Sequence, residues 1–470
     1  MTDNKEQHPA ARLAYRRDNA WDRMGSGERS AAQAFCEKYK RFLGSAKTER
    51  EAVAAAQVHL VEAGFRPLPD TAMLRPGDKV YTVNRRKALI ASVIGKNPAA
   101  SGFNIIGAHI DSPRLDLKPQ PLYEEDGLAL LKTHYYGGIK KYQWLSVPLA
   151  MHGVVIKGDG TAVSVVIGEK PGEPVFTVAD LLPHLAKDQM DKKMADAVPG
   201  ESLNVLMGGI PVGAVDLKDR FKLAVLERLN KLYGIVEEDL ISAEIELVPA
   251  WRPADVGLDS SFVGGYGQDD RVCVYTALRA VAEMGVPERT ALVVLADKEE
   301  IGSAGNTGME SSFFVNATAE IVSRCLPGYN ELALRRVLSH SRALSADVNA
   351  ALDPNYGEVF EKANAARLGG GVVLTKYTGS RGKYATSDAH AEVMADIRRL
   401  FNSAGVVWQT GELGKVDQGG GGTIAHIMAS HDMDVLDCGV ALQGMHSTFE
   451  IASKADVYMA YKGYKAFLTS

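Results

Sequence analysis

Two hydrophobic patterns alternate along this chain. The clearest lies between Thr290 and Gly308, where Leu292 to Ala296 form an unbroken apolar run, rich in Val and Leu. It ends abruptly in Asp297-Lys298-Glu299-Glu300, followed by Gly302 and Gly305. A strand apolar on both faces belongs to a parallel or mixed sheet covered by helices. Residues 28–64 instead show helical spacing, at Phe35, Tyr39 and Phe42 and again at Ala54, Val58 and Val61, with Gly64 as a stop. Val80 to Ile94 and Phe103 to Gly107 read as strands. Beyond Thr290 the alternation continues, with a helix over 329–340 and a strand from Arg342 to Val348. A helix from Ser387 to Ser403, strands at Val406–Trp408 and Val435–Leu442, and a closing amphipathic helix from Ala452 to Leu468 complete it. Arg271 to Met284, ahead of the Thr290 strand, is also helical.

Residues 116–240 break this rhythm. They carry short strand-like runs (Val154–Ile156, Ala162–Val166), several turns and the stretch VADLLPHLAKDQMDKK. The pattern predicts a mostly β unit inserted into an α/β unit, dividing the chain into 1–115, 116–240 and 241–470. The chain leaves the insert near another strand, Glu244 to Pro249. The fold class is therefore α/β, with a mixed central sheet flanked by helices.

Composition narrows the function. A chain of 470 residues holds two or three domains, and 46% hydrophobic content supports a large core. With 53 basic and 58 acidic residues the net charge is -5, which gives no footprint for nucleic acid and no polybasic membrane signal. The N-terminus has no apolar core of a secretory signal, and no apolar run is long enough to span a bilayer. Cys36, Cys273, Cys325 and Cys438 are widely spaced, as expected of reduced thiols in a cytoplasmic protein rather than of disulfides or a thiolate metal site.

Chemistry-bearing residues collect after the apolar strands. Asn104–Ile106 leads into Gly107-Ala108-His109-Ile110-Asp111-Ser112-Pro113, and the Thr290 strand leads into Glu299 and Glu300. Ala343–Ala346 leads into Asp347, and Leu436–Leu442 into Gly444, Met445 and His446. Gly267-Gln268-Asp269-Asp270-Arg271 precedes a helix. In α/β sheets ligands bind beyond the carboxyl ends of the strands. Two imidazoles and several carboxylates without thiolates suit zinc, manganese or cobalt. A two-metal site needs one bridging carboxylate, and one His and one further carboxylate per ion; His109, His446, Asp269, Glu300 and Asp347 supply these. Glu299 is left over, in position for a general base. Asp111, two residues from His109 on a strand end, faces the same side and can hold the far imidazole nitrogen. Taken singly, Glu299-Glu300 also reads as an acidic surface turn and Asp-Asp-Arg as a helix start. The run Gly419–Gly422 before Thr423 reads as backbone lining the cleft or as a flexible loop, and it lacks the Lys-Ser/Thr of a nucleotide loop.

GAHIDSPRL, GQDDR, LADKEEIGSAG, SADVNAALDPNY, KYATSDAH and GMHS, in this order and across nearly the whole chain, resemble the aspartyl aminopeptidase family of two-zinc aminopeptidases. The resemblance implies a zinc-peptidase-type sheet and an inserted dimerisation unit. It implies peptide substrates with acidic N-terminal residues, and a dodecamer built from dimers. It makes His109, Asp269, Glu300, Asp347 and His446 metal ligands, Glu299 the base and Asp111 the carboxylate that supports His109; choosing Asp269 over Asp270 rests on the flanking residues. His184, in Pro183-His184-Leu185-Ala186, matches a segment reaching a neighbouring subunit's active site, though Pro183 also makes it an ordinary helix start. Lys376 resembles a lysine that meets an acidic substrate side chain. The chain departs from the family at Asp353, where His is common, and in the length of the loop KYTGSRGKYA. The second departure leaves a preference for neutral or basic N-terminal residues open, and a non-catalytic scaffold of the same fold is the remaining alternative.

Overall fold

The structure is a computed structural model that describes residues 13–69 and 73–470. The N-terminal stretch read as lacking a secretory signal begins with residues 1–12, outside the described residues.

Among the described residues nine strands form a central mixed sheet. Their order is Arg66–Pro67, Lys79–Asn84, Ala88–Val93, Ala291–Ala296, Asn104–His109, Arg342–Ser345, Asp434–Gly439, Val372–Thr375 and Trp408–Thr410. The central strands are wholly buried because both faces are covered. Along Asn104–His109, Ile106 and Ala108 pack on one helical layer, with Tyr39, Leu60, Val274 and Tyr464, while Ile105 packs on the other, with Phe314, Ile321 and Met428. This period-two division is what an apolar strand between two layers requires. Each fully buried aliphatic side chain in it stabilises the fold by about 1.5–3 kcal/mol.

Three neighbouring strands explain where the chemistry gathers. Ala291–Ala296 and Arg342–Ser345 both run parallel to Asn104–His109, with Ala296 opposite His109 and Ser345 opposite Gly107. Their carboxyl ends therefore open side by side.

The middle of the chain forms a separate six-stranded antiparallel sheet, in the order Ala162–Ile167, Leu149–Ile156, Ala243–Pro249, Arg114–Glu125, Leu128–Tyr136 and Val205–Gly208. The helix Arg220–Tyr233 packs on it through Val225 and Leu229. The exit strand, which sequence reading places in 241–470, joins this sheet instead, pairing Leu247 with both Leu115 and Met151. Local alternation identifies a strand but not the sheet that receives it.

Other boundaries also move. Val435–Leu442 is two strands in two sheets, Asp434–Gly439 in the central one and Ala441–Gln443 in a five-stranded one. The break follows Gly439, where a Cβ would lie 1.8 Å from the Asp347 carbonyl oxygen, so that close approach requires glycine. In the helix Glu49–Glu62 the buried stripe is Ala52, Val53, Ala56 and Leu60, and Val58 and Val61 are exposed. An alanine-rich helix offers two weak stripes, and the pattern alone selects the wrong one. The helix Phe313–Cys325 is not anticipated. The helix read from Ser387 begins at Ala391, and the strand read at Val406–Trp408 is Trp408–Thr410. All four cysteines are free, and no helix among the described residues is long and apolar enough to cross a membrane.

Candidate metal centre

His109 closes its strand, and Asp347 lies just beyond Arg342–Ser345. Glu299 and Glu300 sit in the turn after Ala291–Ala296, entered through Lys298 in left-handed conformation. Asp269 lies at the start of the helix Gln268–Ala282, in an extended rather than helical conformation, and the Asp269–Asp270 peptide is cis. His446 arrives from Ala441–Gln443.

These side chains meet. Asp269 lies between the two imidazoles, with its Oδ1 3.1 Å from His109 Nε2 and its Oδ2 3.1 Å from His446 Nε2. Asp347 Oδ1 lies 3.9 Å from His109 Nε2, and Glu300 Oε2 lies 3.3 Å from His446 Nε2. Glu299 Oε2 is 4.0 Å from His109 Nε2. Asp270 also comes within ligand reach of His109 and Asp347. However, its Oδ2 accepts from the main-chain N–H of His109, at 3.3 Å, and among the described residues only Asp269 touches both imidazoles.

A second set of groups fixes this arrangement. Asp111 Oδ1 lies 3.3 Å from His109 Nδ1 and accepts from the main-chain N–H of Glu299 at 3.1 Å. Its Oδ2 accepts from the N–H of Glu300 at 3.2 Å and from the Tyr136 hydroxyl at 2.8 Å. Glu450 accepts from the main-chain N–H groups of Gln268 (2.6 Å), Asp269 (3.2 Å) and His446 (2.9 Å), so one buried carboxylate holds both ends of the Asp269–His446 contact. His446 Nδ1 lies 2.8 Å from the Gly138 carbonyl oxygen. A carbonyl only accepts, so Nδ1 carries the hydrogen and the neutral ring turns a lone pair on Nε2 toward Asp269 and Glu300. The His109 Nδ1 lies 3.1 Å from the Asp111 carbonyl oxygen and imposes the same tautomer.

Such lone pairs face carboxylate oxygens only where a cation or a proton intervenes. Burial, reinforced by Asp269 and Asp111, pushes Glu299 up to about 7. Burial also raises Glu300 and Asp347 well above the ordinary carboxylate range. Burial opposes ionisation of Asp269 as well, but the contacts with His109 and His446 outweigh it and hold Asp269 low. For His446 burial acts downward, yet the Asp269 hydrogen bond and the Glu300 charge raise it to about 10. Nearly every group here thus favours its protonated form, as a cluster short of positive charge must. Among the described residues the ion-pair partners of Asp269, Glu299, Glu300 and Asp347 are His109 and His446 alone. Glu300 Oε1 is buried without a hydrogen-bond partner. Nitrogen and oxygen donors in this number and proximity fit divalent zinc.

The cluster lies at the base of a cleft of about 420 Å³, whose walls include Val348, Thr378, Leu413, Thr423 and Met445. Gly420 to Gly422 line it too, in keeping with the cleft-lining reading of that glycine run. Lys376 is not in the lining; its Nζ lies 3.0 Å from Asp388. His184 sits exposed in the short turn Pro183–Leu185, also outside the cleft of its own chain. Sequence reading misses Glu450, Tyr136 and the Gly138 carbonyl. Glu450 follows His446 by four residues and Tyr136 precedes a glycine pair at a strand end, but neither spacing names a partner.

The family profile described as aminopeptidase I zinc metalloprotease (M18) matches residues 42–468. A probable M18 family aminopeptidase 1 of Clostridium acetobutylicum is 52% identical over 456 residues, covering 96% of this chain and 98% of its own. The crystal structure of an M18-family aminopeptidase from Thermotoga maritima superposes with a TM-score of 0.93 at 49% identity, covering 97% of this chain and 99% of that one. The S. cerevisiae mApe1 dodecamer shares the fold at a TM-score of 0.74 and 22% identity, covering 93% of this chain and 97% of its own.

Proposed function

The chain belongs to the M18 family of zinc metalloproteases and is an aminopeptidase; from that premise we propose a two-ion site with Glu299 as its general base. His109 and Asp347 would hold one ion and His446 and Glu300 the other, with Asp269, in reach of both imidazoles, shared between them. The observation that carries this reading is the single Asp269 carboxylate set 3.1 Å from each imidazole. When bound, zinc supplies Lewis acidity to the scissile carbonyl and to the attacking water. Glu299 takes the proton from that water and returns it to the leaving amine. Asp111 fixes the turn that carries Glu299 through its main-chain N–H. The free α-amino group of a peptide needs an anionic or metal partner in this cluster, which limits release to the N-terminal residue.

The resemblance to aspartyl aminopeptidases favours acidic N-terminal residues. A specific observation favours the neutral reading: Asp388 engages Lys376, and no Lys or Arg is among the described residues lining the cleft. Val348, Leu413 and Met445 offer apolar contact instead. A panel of aminoacyl-anilides assayed with and without a chelator tests both levels. Release is expected to stop on chelation and to return with zinc, manganese or cobalt. Neutral residues are expected to exceed Asp and Glu in kcat/KM by about tenfold, or ~1.4 kcal/mol. Chelator-resistant release would remove the metal reading, and faster acidic substrates would remove the neutral preference alone.

Leu181, Leu182, Leu185, Met190 and Met194, close to His184 in sequence, are all exposed, and large apolar side chains left in water in such number suit a contact surface. A homo-oligomer that buries this surface is consistent with the dodecameric mApe1 of the same fold. Light scattering on the whole protein is expected to give twelve times the 50.6 kDa chain mass; a monomer at micromolar concentration would refute it.

A further inference from the structure

The first hairpin of the middle sheet reaches the metal cluster. Its strands Arg114–Glu125 and Leu128–Tyr136 pair so that Arg114 stands opposite Tyr136, three residues after Asp111. The Arg114 guanidinium lies 3.8 Å from the centre of the Tyr136 ring. Arg114 is held in turn by Asp116 at 2.8 Å and Glu246 at 3.2 Å, both in the middle sheet. The ring is thus clamped before its hydroxyl does anything.

That hydroxyl completes the coordination of Asp111. The carboxylate is fully buried: Oδ1 accepts from the Glu299 N–H and lies 3.3 Å from His109 Nδ1, and Oδ2 accepts from both the Glu300 N–H and the Tyr136 hydroxyl. The chain then continues through Gly137 and Gly138. At Gly137, with φ +72°, a Cβ would meet Glu300 Oε2 at 3.4 Å and Pro113 Cγ at 3.3 Å, and the Gly138 carbonyl fixes the His446 tautomer. One segment of three residues therefore touches the supports of both imidazoles.

We propose that Tyr136 is a positioning residue of the metal centre, its hydroxyl locking the Asp111 carboxylate that orients His109 and the Glu299–Glu300 turn. The middle sheet is then part of the catalytic apparatus as well as an assembly surface. The proposal rests on the metal reading above.

Tyr136→Phe removes one oxygen and keeps the ring stacked under Arg114. Metal affinity is measured on the metal-free protein by competition with a chromophoric chelator, and the cobalt-substituted protein is examined by its visible absorption. Loss of an outer partner of a ligating His lowers metal affinity about 10- to 100-fold. The variant is expected to lose about tenfold for one of the two ions, with a shifted cobalt band and an unchanged melting temperature of the metal-free protein. Added to Asp111→Asn, the substitution is expected to have little further effect, since both act through one carboxylate. Parental affinity for both ions with an unaltered spectrum would overturn the proposal, as would an affinity loss that merely follows a lowered melting temperature. His109→Ala separates the levels: if it keeps full metal content the underlying site assignment fails, whereas if it loses metal while Tyr136→Phe does not, only the role of Tyr136 fails.

Discussion

Glu299→Gln is expected to lower kcat by about 10²- to 10⁴-fold, the range over which a positioned general base acts. The substitution keeps the shape of the side chain and the main-chain N–H that Asp111 accepts. It removes only the capacity to take a proton. Glu299 is not among the five groups assigned to the ions and its amide replacement keeps an oxygen in place, so metal content should stay at the parental level. Turnover of an aminoacyl-anilide, read beside elemental analysis, checks both halves. A variant that retains near-parental turnover excludes Glu299 as the base. A variant that loses metal instead assigns Glu299 to the ligands.

Asp269→Ala should have the larger effect, with metal content falling below one ion per chain and release of N-terminal residues falling beneath detection. The reason is geometric. Among the described residues Asp269 is the one carboxylate in contact with both imidazoles, and without it His109 and His446 face Glu300, Asp347 and Glu299 across a gap. Glu450, which accepts the main-chain N–H groups of Asp269 and His446, keeps the backbone in place. The loss should therefore be of metal and not of fold. Elemental analysis together with the melting curve of the metal-free protein decides the matter. Retention of two ions per chain would transfer the bridging role to Asp270.

The chain announces the ends of its buried strands clearly, and in a sheet with parallel neighbours those ends converge. That is why His109, Glu299, Glu300 and Asp347 are readable in the sequence. Asp269 is readable as a type of residue and not as a choice, since only the contacts separate it from Asp270, whose carboxylate meets the main chain of His109. Glu450 and Tyr136 are invisible for another reason. Glu450 ties His446 to Gln268 and Asp269, and Tyr136 donates to Asp111 across a hairpin, and no local pattern encodes such distant partners. Nor does a pattern encode sheet membership, as the Ala243–Pro249 strand shows. The break after Gly439 is likewise set by a remote carbonyl, that of Asp347.

The strand orders of the two larger sheets also dictate a timetable during translation. The middle sheet draws all of its strands from Arg114 to Pro249, so its partners are complete once that stretch has left the ribosome. The Asn104–His109 strand, made earlier, has both of its neighbours, Ala291–Ala296 and Arg342–Ser345, still to come. The nascent protein can therefore build its middle sheet while the central one is still an open edge, and the cluster that joins His109 to His446 through Asp269 can close only after His446 emerges.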